Sequence, residues 1–99
     1  PPRGLGLRRP AMTPGRSVPE LYERGLAACL RKDAGEVREV VLELVGALDF
    51  EYEQAARQLT GLYDRCLRQA AAGRFDRARE VFRTLLQTWG APEHPAFRA

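Results

Sequence analysis

The sequence predicts an all-α fold, built as an antiparallel up-down four-helix bundle. Apolar residues recur three or four positions apart in successive segments, which is typical of amphipathic helices. Helix-start signals at Ser17 and Asp33 and a helix-ending glycine, Gly73, divide that pattern into parts. Because the intervening connections are short, consecutive helices are expected to lie side by side and antiparallel. The predicted helices lie near residues 18–32, 35–50, 53–72 and 75–89.

The first two helices follow from their caps and apolar spacing. Ser17 and Glu20 have the spacing of a capping box, with a proline in the first turn. Asp33 provides the same kind of N-cap for the second helix. The second helix is rich in valine, so a strand over 37–45 is the alternative, but its apolar spacing of three and four favours a helix.

The third and fourth helices flank Gly73, which suits a left-handed helix end. The third helix is apolar over the widest arc, so we expect it to lie centrally. In the fourth, Phe82 and Trp89 share the spacing expected of core residues. Residues 49–53 contain no glycine or proline, so the second and third helices either meet in a bend or fuse. A fused rod of about 37 residues, roughly 55 Å long, would favour an exchanged dimer over a monomer.

The two ends of the chain differ in composition from the region between them. Residues 1–16 are rich in proline and glycine and carry arginines but no acidic residues, so we expect a disordered basic tail. Residues 17–90 form the predicted helical domain, and residues 91–99 are expected to be a loose tail. Because the positive net charge belongs to the first segment, the nearly neutral domain argues against a dedicated nucleic-acid surface.

No constellation of residues indicates an enzyme. His94 is the only histidine, and it has no cysteine or histidine at a metal-ligand spacing. No serine or cysteine can be paired with a base on the sequence pattern, and no glycine-rich phosphate loop follows a strand. We therefore expect no catalytic residues, no cofactor and no metal.

Cysteine usage indicates the compartment. Cys29 and Cys66 fall at apolar positions of helical patterns, so we expect buried free thiols in a reducing environment. The sequence shows neither an apolar run long enough for a membrane span nor a signal-peptide core. These observations predict a cytoplasmic protein.

One ordered set of motifs resembles a known family. Leu48–Glu51 reads Leu-Asp-Phe-Glu, and Leu62–Asp64 reads Leu-Tyr-Asp after Leu59. A short turn follows, and then a last helix with Leu85 and Trp89. This order resembles the C-terminal half of the flagellar secretion chaperone FliS, best over residues 48–89. The chain departs from the family upstream, where the helices are shorter and the tyrosine-containing N-terminal segment is replaced by the basic tail.

The FliS resemblance implies a non-enzymatic export chaperone. Such a protein binds the C-terminal helical region of flagellin, or of a related export substrate, in apolar grooves and prevents premature assembly. On a helical wheel Leu42 lies away from the core stripe, with Val45 on the same side, so we expect these residues to line the groove with Tyr22 nearby. The resemblance implies no small-molecule substrate, specific nucleic acid or membrane as partner.

Two other interpretations stay open at the level of sequence. Gly73, Phe75, Ala78 and Phe82 fit the turn and second helix of a tetratricopeptide-like repeat, which would make the protein a helical adaptor for a protein or peptide. No second copy appears at the expected period. Alternatively, the basic segment 1–16 would bind nucleic acid or an acidic membrane, with an affinity that falls steeply with salt.

Overall fold

The structure, a computed structural model, describes residues 17–90 and 96–97. Within these residues the regular secondary structure is helical, and it consists of four helices. They are α1 (Val18–Leu30), α2 (Ala34–Gly46), α3 (Glu53–Ala71) and α4 (Phe75–Trp89). The prediction of an all-helical fold is confirmed, and the alternative of a strand over 37–45 is wrong.

The helices enclose a single apolar core. α1 packs against α2 and α4, and α3 packs against the same two helices, so each helix has two main neighbours. The expectation that α3 lies centrally is wrong. Ala55, Leu62 and Leu67, at the edges of its wide apolar arc, are only partly buried and pack against the outside of the core.

The core contains most of the predicted apolar positions. Phe82 and Trp89 are buried, and so are Cys29 and Cys66, neither of which forms a disulfide. The largest side chains that are almost completely enclosed are Tyr22, Tyr63, Phe82, Leu44, Leu48, Leu59 and Leu85.

The predicted helix-start signals are present in the structure. The Ser17 hydroxyl accepts a hydrogen bond from the Glu20 backbone N–H, and the Glu20 carboxylate accepts one from the Ser17 N–H, which completes a capping box. The Asp33 carboxylate accepts from the Glu36 N–H at 3.0 Å and caps α2. Gly73 follows α3 with φ +78°, the left-handed conformation that favours glycine.

The break after α2 comes earlier than the sequence predicts, at Gly46 rather than near residue 50. Leu48 forms an isolated antiparallel bridge with Phe97, and the Asp49 N–H donates to the Ala96 carbonyl at 2.8 Å. The Asp49 carboxylate then accepts from the Glu51 N–H at 3.0 Å, which turns the chain toward α3. α2 and α3 are therefore separate helices and do not form the fused rod.

The bridge also corrects the expectation of a loose C-terminal tail. Ala96 and Phe97 are buried in the core, so the expectation is wrong for these two residues. Their partners, Leu48 and Asp49, lie far away in sequence, so no local pattern indicated the contact. The remaining tail residues, 91–95 and 98–99, lie outside the described residues, as does the predicted basic tail 1–16.

Candidate functional site

Large apolar side chains reach solvent at five described positions, and four of them fall between residues 42 and 52. The exposed fractions are 59% for Leu42, 36% for Val45, 56% for Phe50 and 49% for Tyr52. The fifth, Leu30, is 67% exposed at the end of α1. We refer to the side chains of Leu42, Val45, Phe50 and Tyr52 as the 42–52 surface. Contiguous exposed apolar patches often mark interaction sites, so this stretch is the candidate.

The helical geometry of α2 explains the exposure of Leu42 and Val45. Glu36 and Glu43 lie on the edge of α2 that faces α1, where both carboxylates form ion pairs with the Arg24 guanidinium, at 2.9 and 3.3 Å. At 100° per residue, Val45 lies about 160° around the helix from Glu43. Leu42 and Val45 therefore lie toward the other edge, next to α3. Their predicted exposure on α2 is confirmed.

A shallow pocket extends this apolar region between α2 and α3. It has a volume of about 390 Å³ and is lined mainly by apolar atoms, from Ala34, Gly35, Arg38, Leu67 and Ala71. Leu42 follows Arg38 by one helical turn and Val45 follows it by about two. The α2 side of the pocket thus continues into the 42–52 surface.

The connection between α2 and α3 contributes two aromatic residues that were not predicted as site residues. Phe50 and Tyr52 stand on either side of Glu51, and Tyr52 also lines a second open pocket at the start of α3. The signal that could have identified them is their position. Both lie between two helical patterns, where no core stripe requires an aromatic residue.

Tyr22 does not lie on this surface, and its assignment there is wrong. Its exposed fraction is 0%, and its hydroxyl is hydrogen-bonded to that of Tyr63 at 2.8 Å. The two rings are tilted by 52° with centroids 6.4 Å apart. Burial raises the pKa of both phenols, so both stay protonated at neutral pH. Because each hydroxyl partners the other, both polar groups have a hydrogen-bond partner inside the core.

The charge next to the 42–52 surface is mainly negative, although Arg38 lines the adjoining pocket. No lysine, arginine or histidine occurs between Arg38 and Arg57. The acidic residues of that interval are Glu39, Glu43, Asp49, Glu51 and Glu53. Two of them form ion pairs, Glu43 with Arg24 and Glu53 with Arg57. Within the described part of the chain, Glu39, Asp49 and Glu51 form no ion pair, so three acids border the apolar surface without a described counter-ion.

The two cysteine thiols of the core are buried and stay neutral. Burial raises the pKa of the Cys29 thiol to about 11 and that of the Cys66 thiol to about 12. Since a nucleophilic cysteine requires a thiolate, neither thiol is activated at neutral pH. Among residues 17–90 and 96–97 no group of three histidine, cysteine, aspartate or glutamate side chains is arranged to hold a metal ion. His94 lies outside those residues.

The helices of the described region are too short or too polar to cross a membrane. Comparison with protein-family models, with curated proteins and with solved structures finds no match to this chain.

Proposed function

We propose that the chain is a non-enzymatic export chaperone of the FliS type, which binds the C-terminal helical region of flagellin or a flagellin-like substrate. The observation that carries the proposal is the concentration of exposed apolar side chains from Leu42 to Tyr52, beside an apolar pocket between α2 and α3. An aggregation-prone client that is helical only when bound would bury its own apolar face there. No nucleotide or metal takes part in this binding.

Binding would follow the helix-in-groove mode. A client helix lying along the α2–α3 edge would place apolar residues three and four positions apart against the pocket and against Leu42 and Val45. Phe50 and Tyr52 would extend the contact at the end of α2. Aromatic side chains supply much of the energy in such interfaces because each buries a large apolar area. Each fully buried side chain of this size contributes about 1.5–3 kcal/mol before the client's ordering entropy is subtracted.

The same proposal includes an antiparallel up-down order of the helices in a monomeric bundle. It is supported by the short connections 31–33 and 72–74, and by Arg24 in the middle of α1, which reaches both Glu36 and Glu43 on α2. A cytoplasmic location is supported by two buried cysteines that remain free thiols.

The tetratricopeptide-like alternative has less support. Repeats in a solenoid contact only their neighbours in sequence. Here α1 packs against α4, the helix farthest from it along the chain. This contact favours a closed bundle with one client surface over an open array that binds extended peptides.

The test is a titration of the full chain with a flagellin C-terminal fragment. Leu42→Asp is expected to weaken binding at least tenfold while leaving the melting temperature nearly unchanged, because an exposed leucine contributes little to stability. Leu30→Asp is the matched control, since Leu30 is at least as exposed as Leu42 but lies outside the 42–52 surface. It should bind like the wild type.

Two results would contradict the proposal. One is the absence of binding by a folded wild-type chain at tens of micromolar fragment, which corresponds to about −6 to −7 kcal/mol. The other is an equal loss of binding in the Leu42→Asp and Leu30→Asp variants.

A further inference from the structure

We propose that the 42–52 surface selects a cationic amphipathic helix, one that carries lysines or arginines beside its apolar face. The inference rests on the proposed function for its use of this surface, and it adds the charge of the bound segment. It follows from the unpaired acids that border the surface and not from the apolar residues alone.

The acids are interleaved with the exposed apolar residues. Glu39 lies about one turn before Leu42 on α2. Beyond α2, Asp49 and Glu51 alternate with Phe50 and Tyr52. A segment that buries the apolar side chains therefore comes close to Glu39, Asp49 and Glu51, which have no ion-pair partner in the described part of the chain.

This arrangement discriminates between partners by their charge. A neutral or acidic helix on the surface would remove water from these carboxylates without supplying a counter-charge, and that is unfavourable. A helix with basic residues flanking its apolar stripe would supply charge-assisted hydrogen bonds instead. The chain as a whole has a net charge of +3, so a cationic segment is not drawn to it by net charge. Its binding requires a local acidic site.

The dimensions fit a single helix. From Val45 to Phe50 the chain spans at most roughly 18 Å even when fully extended. A helix of about 18 residues is roughly 27 Å long, enough to cover α2 from the α2–α3 pocket to the connection. It would present an apolar face to the surface and basic residues to Glu39, Asp49 and Glu51.

A second copy of the chain fits the surface poorly. Symmetric pairing would place the same surface patch of both chains face to face. Glu39, Asp49 and Glu51 of both chains would then lie in one interface, and an excess of like charges in an interface is repulsive. The charge pattern therefore favours a partner with a different sequence.

The test compares two synthetic peptides with the full chain by fluorescence anisotropy. Both are 18 residues long and have leucines at the same helical positions; the remaining positions are mainly lysine in one and mainly glutamate in the other. A scrambled lysine–leucine peptide controls for charge without a helical apolar face. We expect the lysine peptide to bind at least tenfold more tightly than either of the other two, with an affinity that decreases as salt is raised.

Variants of the chain locate the site. Glu39→Lys combined with Glu51→Lys should weaken binding of the lysine peptide at least tenfold. Leu42→Ser should also weaken it, because the leucine contact is lost. The matched charge-reversal control is Glu23→Lys combined with Glu80→Lys, on exposed positions of α1 and α4, and it should change the affinity less than twofold.

Several outcomes would overturn the inference. These are equal affinity for the lysine and glutamate peptides, equal affinity for the scrambled peptide, or equal effects of the two charge-reversal variants. Concentration-dependent dimerisation that Leu42→Ser abolishes would also overturn it, because a second copy would then occupy the surface. Binding of the flagellin fragment at Leu42 with no preference between the peptides would overturn this inference alone. Binding of the lysine peptide without the flagellin fragment would overturn the flagellin proposal alone.

Discussion

Gly25 lies where the ring of Phe82 packs directly on the backbone of α1. A Cβ atom at position 25 would come within 2.5 Å of the Phe82 Cε1 and Cζ atoms. Glycine inside a helix costs about 1 kcal/mol relative to alanine, so the sequence alone identifies it only as a weak point of α1. In the fold it permits close contact between α1 and α4 and a core position for Phe82.

Gly25→Ala is therefore expected to destabilise the protein by about 1–3 kcal/mol, because overpacking outweighs the gain in helix propensity. The control is Gly61→Ala within α3, where an added Cβ meets no atom within 4 Å. It should stabilise by up to about 1 kcal/mol. Urea unfolding of both variants measures these changes. A stabilising Gly25→Ala would show that Phe82 moves freely.

The buried tyrosine pair makes a second prediction at this scale. Tyr63→Phe leaves the Tyr22 hydroxyl in the core without its partner, which is expected to cost about 1–3 kcal/mol. The double variant Tyr22→Phe with Tyr63→Phe removes both hydroxyls and should be close to neutral. A double-mutant cycle by thermal or urea unfolding tests this. Additive losses in the double variant would mean that the two hydroxyls do not depend on each other.

The two thiols are predicted to be unreactive while the chain is folded. Burial raises the pKa of Cys29 to about 11 and that of Cys66 to about 12, against an ordinary value of 9.0. At pH 8 a thiol reagent should therefore label the native chain only as fast as it opens, whereas the urea-unfolded chain labels at once. Rapid labelling of both residues without denaturant would contradict their burial.

The same pKa shifts set the pH dependence of stability. The folded chain holds the protons of these thiols more tightly than the unfolded chain does, and this difference stabilises the fold. The stabilisation is fully present below about pH 9 and is lost as the pH rises through 11–12. The phenols of Tyr22 and Tyr63 act in the same direction. Replacing Cys66 with alanine should make the fall in unfolding free energy between pH 9 and 12 shallower.

Side-chain burial was only partly predictable from the sequence. Leu42 could be assigned to the surface because it deviates from the clear apolar stripe of α2, and Val45 because it flanks the same side. Tyr22 could not be placed, since an amphipathic tyrosine suits a core or an interface equally well. The deciding factor is the hydroxyl of Tyr63, which lies on another helix and is not visible in any local pattern.

At the scale of the elements, a helix end that is marked by a capping side chain could be predicted from the sequence. A helix end that adjoins contacts with a distant part of the chain could not. The starts of α1 and α2 follow from Ser17 and Asp33, whose side chains satisfy backbone N–H groups. The end of α2 depends on Phe97 and Ala96, about fifty residues further along the chain. Without those partners the apolar pattern suggests a helix that continues to residue 50.

Removing the Asp33 cap at the start of α2 tests how much this cap contributes to the free energy of unfolding. Asp33→Ala is expected to cost about 0.5–2 kcal/mol, because the Glu36 N–H loses its acceptor at 3.0 Å. Asp64→Ala is the matched control, since that carboxylate forms only an exposed ion pair with Arg68 on α3. Its loss should change stability by less than about 1 kcal/mol. Equal effects in urea unfolding would mean that the cap contributes nothing specific.

At the scale of the whole molecule, the contact of α1 with α4 closes the bundle within one chain, and the bridge between Leu48 and Phe97 lies at the break between α2 and α3. The connection between α2 and α3, residues 47–52, contains no glycine or proline. Nothing in residues 47–52 themselves forbids a continuous helix except the turn at Asp49. The break between α2 and α3 therefore involves contacts with Ala96 and Phe97 as well as the residues of the connection.

This dependence predicts a change of oligomeric state. The full chain should sediment as a monomer near 11.1 kDa at all concentrations. A chain ending at residue 95 lacks the Asp49–Ala96 hydrogen bond and the Leu48–Phe97 bridge, so α2 and α3 are freer to join and exchange between two chains. We expect a species of about twice the monomer mass, whose fraction rises with concentration.

Two further measurements make that result decisive. Circular dichroism should show that the shortened chain stays helical, which separates exchange from unfolding. Phe97→Ala in the full chain retains the backbone hydrogen bond of Ala96 and should dimerise less than the shortened chain, although the lost ring costs about 3–5 kcal/mol of stability. If the shortened chain remains helical and monomeric, the local hydrogen bonds of the connection are sufficient to hold the turn, and Asp49→Ala becomes the variant that should release it.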